Sequence, residues 1–108
     1  MGSFFRYHLI LLLSLFFVSL LYAGTTGKIV GTVRDSKTGE PLIGANVVLE
    51  GTQMGISTDQ DGYFVLINVP PGVYTLTVHY IGYASASIEN VRVRVDRTTT
   101  QNVQLSPT

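Results

Sequence analysis

Between Lys28 and Leu105, hydrophobic and polar positions alternate in short runs, and each run is cut by Gly, Pro, Asp or Asn. Alternation of this kind predicts short strands joined by tight turns. Lys28 to Asp35 reads as the first strand. Ile29, Gly31 and Val33 share one face, and Lys28, Val30, Thr32 and Arg34 share the other. Asn46 to Glu50 is the second, with Val47 and Leu49 inward, and Ile56 to Thr58 is a short third. Tyr63 to Asn68 follows with Phe64 and Leu66 inward. Val73 to Tyr80 is the longest clean alternation, setting Tyr74, Leu76, Val78 and Tyr80 against Val73, Thr75, Thr77 and His79. Ala84 to Val95 makes one or two strands broken near Asn90, and Thr98 to Leu105 is the last, with Val103 and Leu105 inward. The pattern predicts an all-β fold: a seven-stranded antiparallel β-sandwich with one face of each sheet on the core.

The breaks have their own chemistry. Gly39 permits a positive φ in the loop from Ser36 to Pro41. Asp59-Gln60-Asp61-Gly62 reads as a hairpin turn, with Asp side chains accepting local backbone N–H groups and Gly62 in the left-handed region. In Val69-Pro70-Pro71-Gly72, Pro71 pre-sets φ and Gly72 is expected to supply the reversal. Gly82 marks a bulge or bend at the end of the long strand.

The first 23 residues follow a different pattern. One basic residue, Arg6, precedes a run from Leu9 to Leu21 that is apolar apart from Ser14 and Ser19, and Ala23 follows. This is the order of a secretory signal peptide, a helix expected to be cut after Ala23. The competing reading is an uncleaved anchor, because the uncharged run from Tyr7 to Thr26 approaches the roughly 20 residues that span a bilayer. The expected organisation is signal peptide 1–23, lead-in 24–27, β-sandwich 28–105, and a tail or start of a linker 106–108.

The chain has no Cys. An exported domain of this composition has no disulfides and must be stabilised by its core. Removing residues 1–23 leaves six basic against seven acidic residues. That balance gives no electrostatic footprint for nucleic acid or an anionic membrane surface.

Catalytic chemistry finds little to work with. A zinc peptidase needs two His and a carboxylate around the metal. His8 lies in the signal segment, which leaves His79, a solvated strand residue by its pattern. There is no G-x-S-x-G elbow. Asp59 and Asp61 offer two hard-oxygen ligands, but a calcium loop needs more of them and a Glu beyond the Gly. Their turn explains them. Arg92, Arg94 and Arg97 form a stripe beside Glu89 and Asp96, as on a solvated strand face. The expectation is no enzyme and no cofactor. Among the aromatic residues, Phe64 and Tyr74 fall at inward positions. Tyr80 and Tyr83, at the end of the long strand, are the candidate contact surface.

Several pieces in order resemble the carboxypeptidase regulatory-like domain, a prealbumin-like (transthyretin-like) β-sandwich. They are Gly31-Thr32-Val33-Arg34-Asp35, Thr38-Gly39-Glu40-Pro41-Leu42, Gly44-Ala45-Asn46-Val47 and Gly51-Thr52, then Thr58-Asp59-Gln60-Asp61-Gly62-Tyr63-Phe64, Val69-Pro70-Pro71-Gly72-Val73-Tyr74 and Ile81-Gly82-Tyr83. The resemblance covers Lys28 to Leu105. It implies a non-catalytic accessory or interaction module. One common setting of such domains is the N-terminus of TonB-dependent outer-membrane receptors, directly after the signal peptide. The implied location is the periplasm or outer membrane of a Gram-negative bacterium. The implied partner is an envelope protein or the rest of a receptor chain, with membrane contact only through the signal peptide or a downstream barrel. Two settings stay open, a piece of such a receptor and a free-standing module. Related sandwiches bind carbohydrate, so a glycan-binding module is the alternative.

Overall fold

A computed structural model describes residues 24–108. The signal-peptide helix expected over 1–23 lies outside the described residues. Eight strands follow in chain order: β1 Gly27–Asp35, β2 Asn46–Leu49, β3 Gly55–Ser57, β4 Tyr63–Val69, β5 Gly72–His79, β6 Ala86–Val93, β7 Thr98–Thr100 and β8 Val103–Leu105. They make two sheets. One has the order β4-β1-β7, with β8 continuing along β1, and the other has the order β3-β2-β5-β6.

The alternation of β1 is obeyed along its length. Gly27, Ile29, Gly31, Val33 and Asp35 are buried, and the residues between them are not. Val47 and Leu49 of β2, and Phe64, Leu66 and Val69 of β4, meet them from the two sheets, with Leu76, Val78, Val91, Val93, Val103 and Leu105 filling the rest. Among the described residues, the core runs from Ile29 to Leu105, and the two sheets share it.

The strand count and strand directions correct the sequence reading. The last segment, read as one strand, is two, which makes eight strands rather than seven. β7 and β8 also pair with β1 in parallel, not antiparallel. The two pieces keep one register: Lys28 faces Thr98, and Val33 faces Val103. They part at Gln101 and Asn102, where the backbone moves in against Gly31. There Gln101 N–H donates to Val30 C=O (2.8 Å), and the Asn102 side-chain carbonyl accepts Thr32 N–H (3.1 Å). A side chain thus replaces a ladder bond for one step. Apolar alternation encodes which face is buried but not strand direction, so the parallel pairing left no trace in the pattern.

Two turns also differ from their expected roles. Asp59–Gly62 closes as expected: Asp59 Oδ1 accepts the N–H groups of Asp61 and Tyr63 (both 2.9 Å), and Gly62 has φ 71°. However, β3 and β4 belong to different sheets. The turn carries the chain across the sandwich and does not join a hairpin ladder. At Val69–Gly72 the left-handed residue is Asn68, with φ 56°, and not Gly72. Asn68 lies where β4 gains a residue against β1 between Gly27 and Ile29. The break expected near Asn90 is a bulge inside one strand: Asn90 has φ 61°, and β6 gains a residue against β5 between Tyr74 and Leu76.

Candidate interaction surface

The residues singled out by sequence meet at one corner, where β5 turns into β6. Gly82 takes φ 84°, and Tyr83 N–H donates to Tyr80 C=O (3.1 Å). The two rings meet edge to face, with centroids 5.4 Å apart and planes at 63°. Both pack in part against the core. Tyr83 spends its polar tip internally, its hydroxyl donating to Asp35 Oδ2 (2.7 Å). Asp35 Oδ1 accepts Lys37 N–H (2.7 Å) and Thr38 N–H (3.0 Å). One buried carboxylate therefore holds both the Ser36–Glu40 loop and the Tyr83 corner.

These bonds stabilise the charged carboxylate. The Tyr83 hydroxyl, then the Thr38 and Lys37 amides, hold Asp35 below the usual carboxylate range. The same contact pushes the Tyr83 phenol up. The sign follows from linkage. A depressed carboxylate adds stability above its unfolded pKa, and that stability is lost as pH falls through the folded value. Melting temperature is therefore expected to drop as pH falls below about 4. Tyr83→Phe is expected to shrink this acid-linked drop without abolishing it, since the two amides remain. Thermal melts from neutral to acid pH check this, and identical pH profiles for the two proteins would contradict it.

The C-terminal residues brace the corner from outside. Ala84 N–H donates to Ser106 C=O (2.9 Å), Thr108 N–H donates to Gly82 C=O (3.0 Å), and Tyr83 bridges Pro107. The Thr108 hydroxyl also donates to Gly82 C=O (3.1 Å).

The corner presents an apolar projection beside a concavity of mixed lining. Ile81 is 97% exposed, the highest value among the exposed large hydrophobic residues described. An open concavity of ≈ 570 Å³ lies next to it, lined by Gly44, Asn46, His79, Tyr80, Ile81 and Ser85. Ile43, the neighbour of Gly44, is 56% exposed. Across the strands the floor is polar. Ser57 donates to Asn46 Oδ1 (3.2 Å), Asn46 lies opposite His79, and His79 Nδ1 is 2.7 Å from Ser85 Oγ.

His79 and Ser85 place an imidazole beside a hydroxyl, which sequence alone did not pair. A nucleophile needs more: a third group orienting the base and donors for the developing oxyanion. The only side-chain partner the described residues give His79 is Ser85. No group of three His, Cys, Asp or Glu that could hold a metal occurs among the described residues. Asp59, half of the two-carboxylate turn, is engaged with its own turn's amides. Arg92, Arg94 and Arg97 are exposed.

Sequence reasoning missed two residues here. Asp35 was read as a strand end, although an Asp followed by Ser-Lys-Thr-Gly is a signal for side-chain capping of the next amides. Thr58 is buried, donating to Leu42 C=O (2.5 Å) and accepting Ala45 N–H (2.9 Å), which fixes the wall beside Gly44. A lone Thr in a polar run gives no such signal.

Taken together, two sheets, a shared core and a braced corner define a small β-sandwich module. A model of the carboxypeptidase regulatory-like domain matches residues 28–106, and the chain belongs to that family. Among its relatives, the TonB-dependent receptor SusC of Bacteroides thetaiotaomicron is 39% identical over 82 residues, covering 76% of this chain and 8% of the receptor. Human carboxypeptidase D is 37% identical over 78 residues, covering 72% of this chain and 6% of the enzyme. TonB-dependent receptor P39 of Formosa agariphila is 38% identical over 82 residues, covering 74% and 7%. The chain spans less than a tenth of the length of these relatives. In structure it is similar to a chain of a type II cohesin–X-dockerin complex from Acetivibrio cellulolyticus, with TM-score 0.63, 25% identity, and coverage of 73% of this chain and 56% of that one. A carbohydrate-binding candidate from Bacteroides uniformis shares the fold, with TM-score 0.58, 16% identity, and coverage of 74% and 41%.

Proposed function

We propose that this domain is a non-catalytic, exported interaction module whose Tyr80–Ile81 corner docks a protein in the cell envelope of a Gram-negative bacterium. The favoured partner is the rest of a TonB-dependent receptor chain or a protein bound to it. The observation that carries the reading is the corner itself. Ile81 is fully presented on a turn braced by Asp35, by Tyr80 and by residues 106–108. A rigid apolar projection beside a concavity binds at low ordering cost, because little motion is frozen on docking. Similarity to two TonB-dependent receptors supports the envelope setting.

The test uses the full receptor reading frame in its host. Ile81→Asp is expected to lower partner co-purification about tenfold, the size of one lost interface anchor. Deleting residues 24–108 is expected to abolish it and impair transport. Intact co-purification and transport after the deletion would overturn the proposal.

A second reading has its own observation. The concavity sets the Tyr80 ring beside the hydrogen-bonding groups of Asn46, His79 and Ser85, a combination that suits a sugar ring. A glycan module predicts saturable calorimetric binding to residues 24–108 that is lost in Tyr80→Ala. Tyr83→Phe should keep that binding, because its hydroxyl faces Asp35. No binding across a glycan panel by a folded sample would remove this reading.

A further inference from the structure

The strands at the rims of the two sheets differ in how they are protected. β3, β7 and β8 have three residues each. β6 is bent by the bulge at Asn90 and bears Glu89 and Arg92. β4, Tyr63–Val69, is seven residues long with neither charge nor Pro, and among the described residues it pairs only through its β1 side. Long neutral edges are ordinarily avoided because they template pairing with another chain.

The register shows which backbone groups of β4 are open. Tyr63 C=O accepts Asp59 N–H (2.9 Å), and Tyr63 N–H donates to Asp59 Oδ1 (2.9 Å). Tyr63 therefore aims both groups away from β1. By strand alternation, Val65 and Ile67 aim theirs the same way. At Asn68 the positive φ and the bulge end the regular ladder. The open segment is closed by Asp59 at one end and by Asn68 at the other. It offers four groups, the N–H and C=O of Val65 and of Ile67.

We propose that this segment pairs with a second copy of itself, antiparallel about a two-fold axis at Leu66. In that register Val65 exchanges both bonds with Ile67 of the partner subunit, and Ile67 does the same with Val65 of the partner subunit. All four groups are satisfied, as an isologous contact requires. A shift of two residues either way would set open groups against Tyr63, already bonded to Asp59, or against the bulge. The side chains fit the same pairing. Val65 lies opposite Ile67, a β-branched pair favoured across strands, and Ile67 is 60% exposed in the single chain. The segment is uncharged, so self-pairing opposes no like charges. Beside this edge an open groove of ≈ 230 Å³ between β3 and β4, lined by Met54, Ile56, Val65, Leu66 and Ile67 together with Gln53, would face its own copy across the axis. Ile56 there is 41% exposed. This apolar strip is small against the roughly 1,200–2,000 Å² of a stable interface. The dimer is therefore weak, forming at ~0.1–1 mM protein. Neither Val65 nor Ile67 belongs to the Tyr80–Ile81 corner, and the pairing stands or falls independently of the function proposed above.

Sedimentation equilibrium on residues 24–108, checked for cooperative melting, tests the pairing. The wild type is expected to dimerise in that concentration range. Ile67→Lys is expected to weaken association at least ~10-fold with an unchanged melting temperature, and Val95→Lys, at another exposed apolar position, should leave it intact. Amide exchange at Val65 and Ile67 is expected to slow as the wild type is concentrated, and not in Ile67→Lys. A wild type that stays monomeric, association indifferent to Ile67→Lys, or Val65 and Ile67 amides exchanging at the monomer rate in the dimer would each overturn it.

Discussion

Gly31→Ala is expected to unfold the sandwich or come close to it. A Cβ at position 31 would fall 1.7 Å from Gln101 O, 2.6 Å from Gln101 C and 3.0 Å from Phe64 Cζ. The first two are backbone atoms of the segment that links β7 to β8, so no side-chain rotation relieves the clash. β1 and the 100–102 segment would have to part, losing Gln101 N–H to Val30 C=O and Thr32 N–H to the Asn102 side chain. Severe overpacking of this kind costs about 3–5 kcal/mol. Against a total of about 5–15 kcal/mol for a native domain, the melting temperature should fall by roughly 15–30 °C. Gly72→Ala is the control. The atoms nearest its Cβ would be those of the Tyr74 ring and hydroxyl at 3.5 Å, an ordinary contact, and its φ is not positive. That variant should change stability by less than about 1 kcal/mol. Equal melting temperatures for the two variants would refute the close approach at Gly31.

Thr58→Val is expected to be the second large loss, although it barely changes volume. The Thr58 hydroxyl serves Leu42 C=O and Ala45 N–H at once, in a buried site. Valine leaves both backbone groups without a partner. At about 1–3 kcal/mol for each unsatisfied buried group, the cost for the two is about 2–6 kcal/mol. Because the loop it ties ends at Gly44, the concavity should loosen as well. Faster amide exchange at Ala45, together with a lowered melting temperature, would register both effects. Thr58→Ser should restore most of the stability, since it keeps the hydroxyl. If Thr58→Ser were as damaging as Thr58→Val, the hydroxyl would not be the cause.

The features legible in sequence are those written locally. The alternation of Ile29, Gly31 and Val33 gave the buried face of β1, and Gly62 and Asn90 marked backbone departures that the structure contains. Long-range consequences were not legible. The Asp59–Gly62 turn closes on itself in the same way whether the next strand pairs with the last one or crosses to the other sheet. The parallel docking of β7 and β8 depends on where β6 delivers the chain, and nothing in Thr98 to Leu105 records it. At the candidate surface, Tyr80 and Tyr83 were found from their place at a strand end, yet the use of the Tyr83 hydroxyl was not, because Asp35 lies 48 residues earlier. Ile81, between them, is read from sequence only as part of the strand's closing Ile81-Gly82-Tyr83 piece: an apolar residue in a turn looks the same whether it folds inward or projects.

The most direct measurement is site-specific photocrosslinking at position 81 in the protein expressed in its own host cell. A photoreactive side chain replacing Ile81 should yield one discrete protein adduct, mapped to a defined segment, while the same group replacing Val95 should yield none. No adduct at position 81, or the same adduct from both positions, would contradict a docking role for the Tyr80–Ile81 corner.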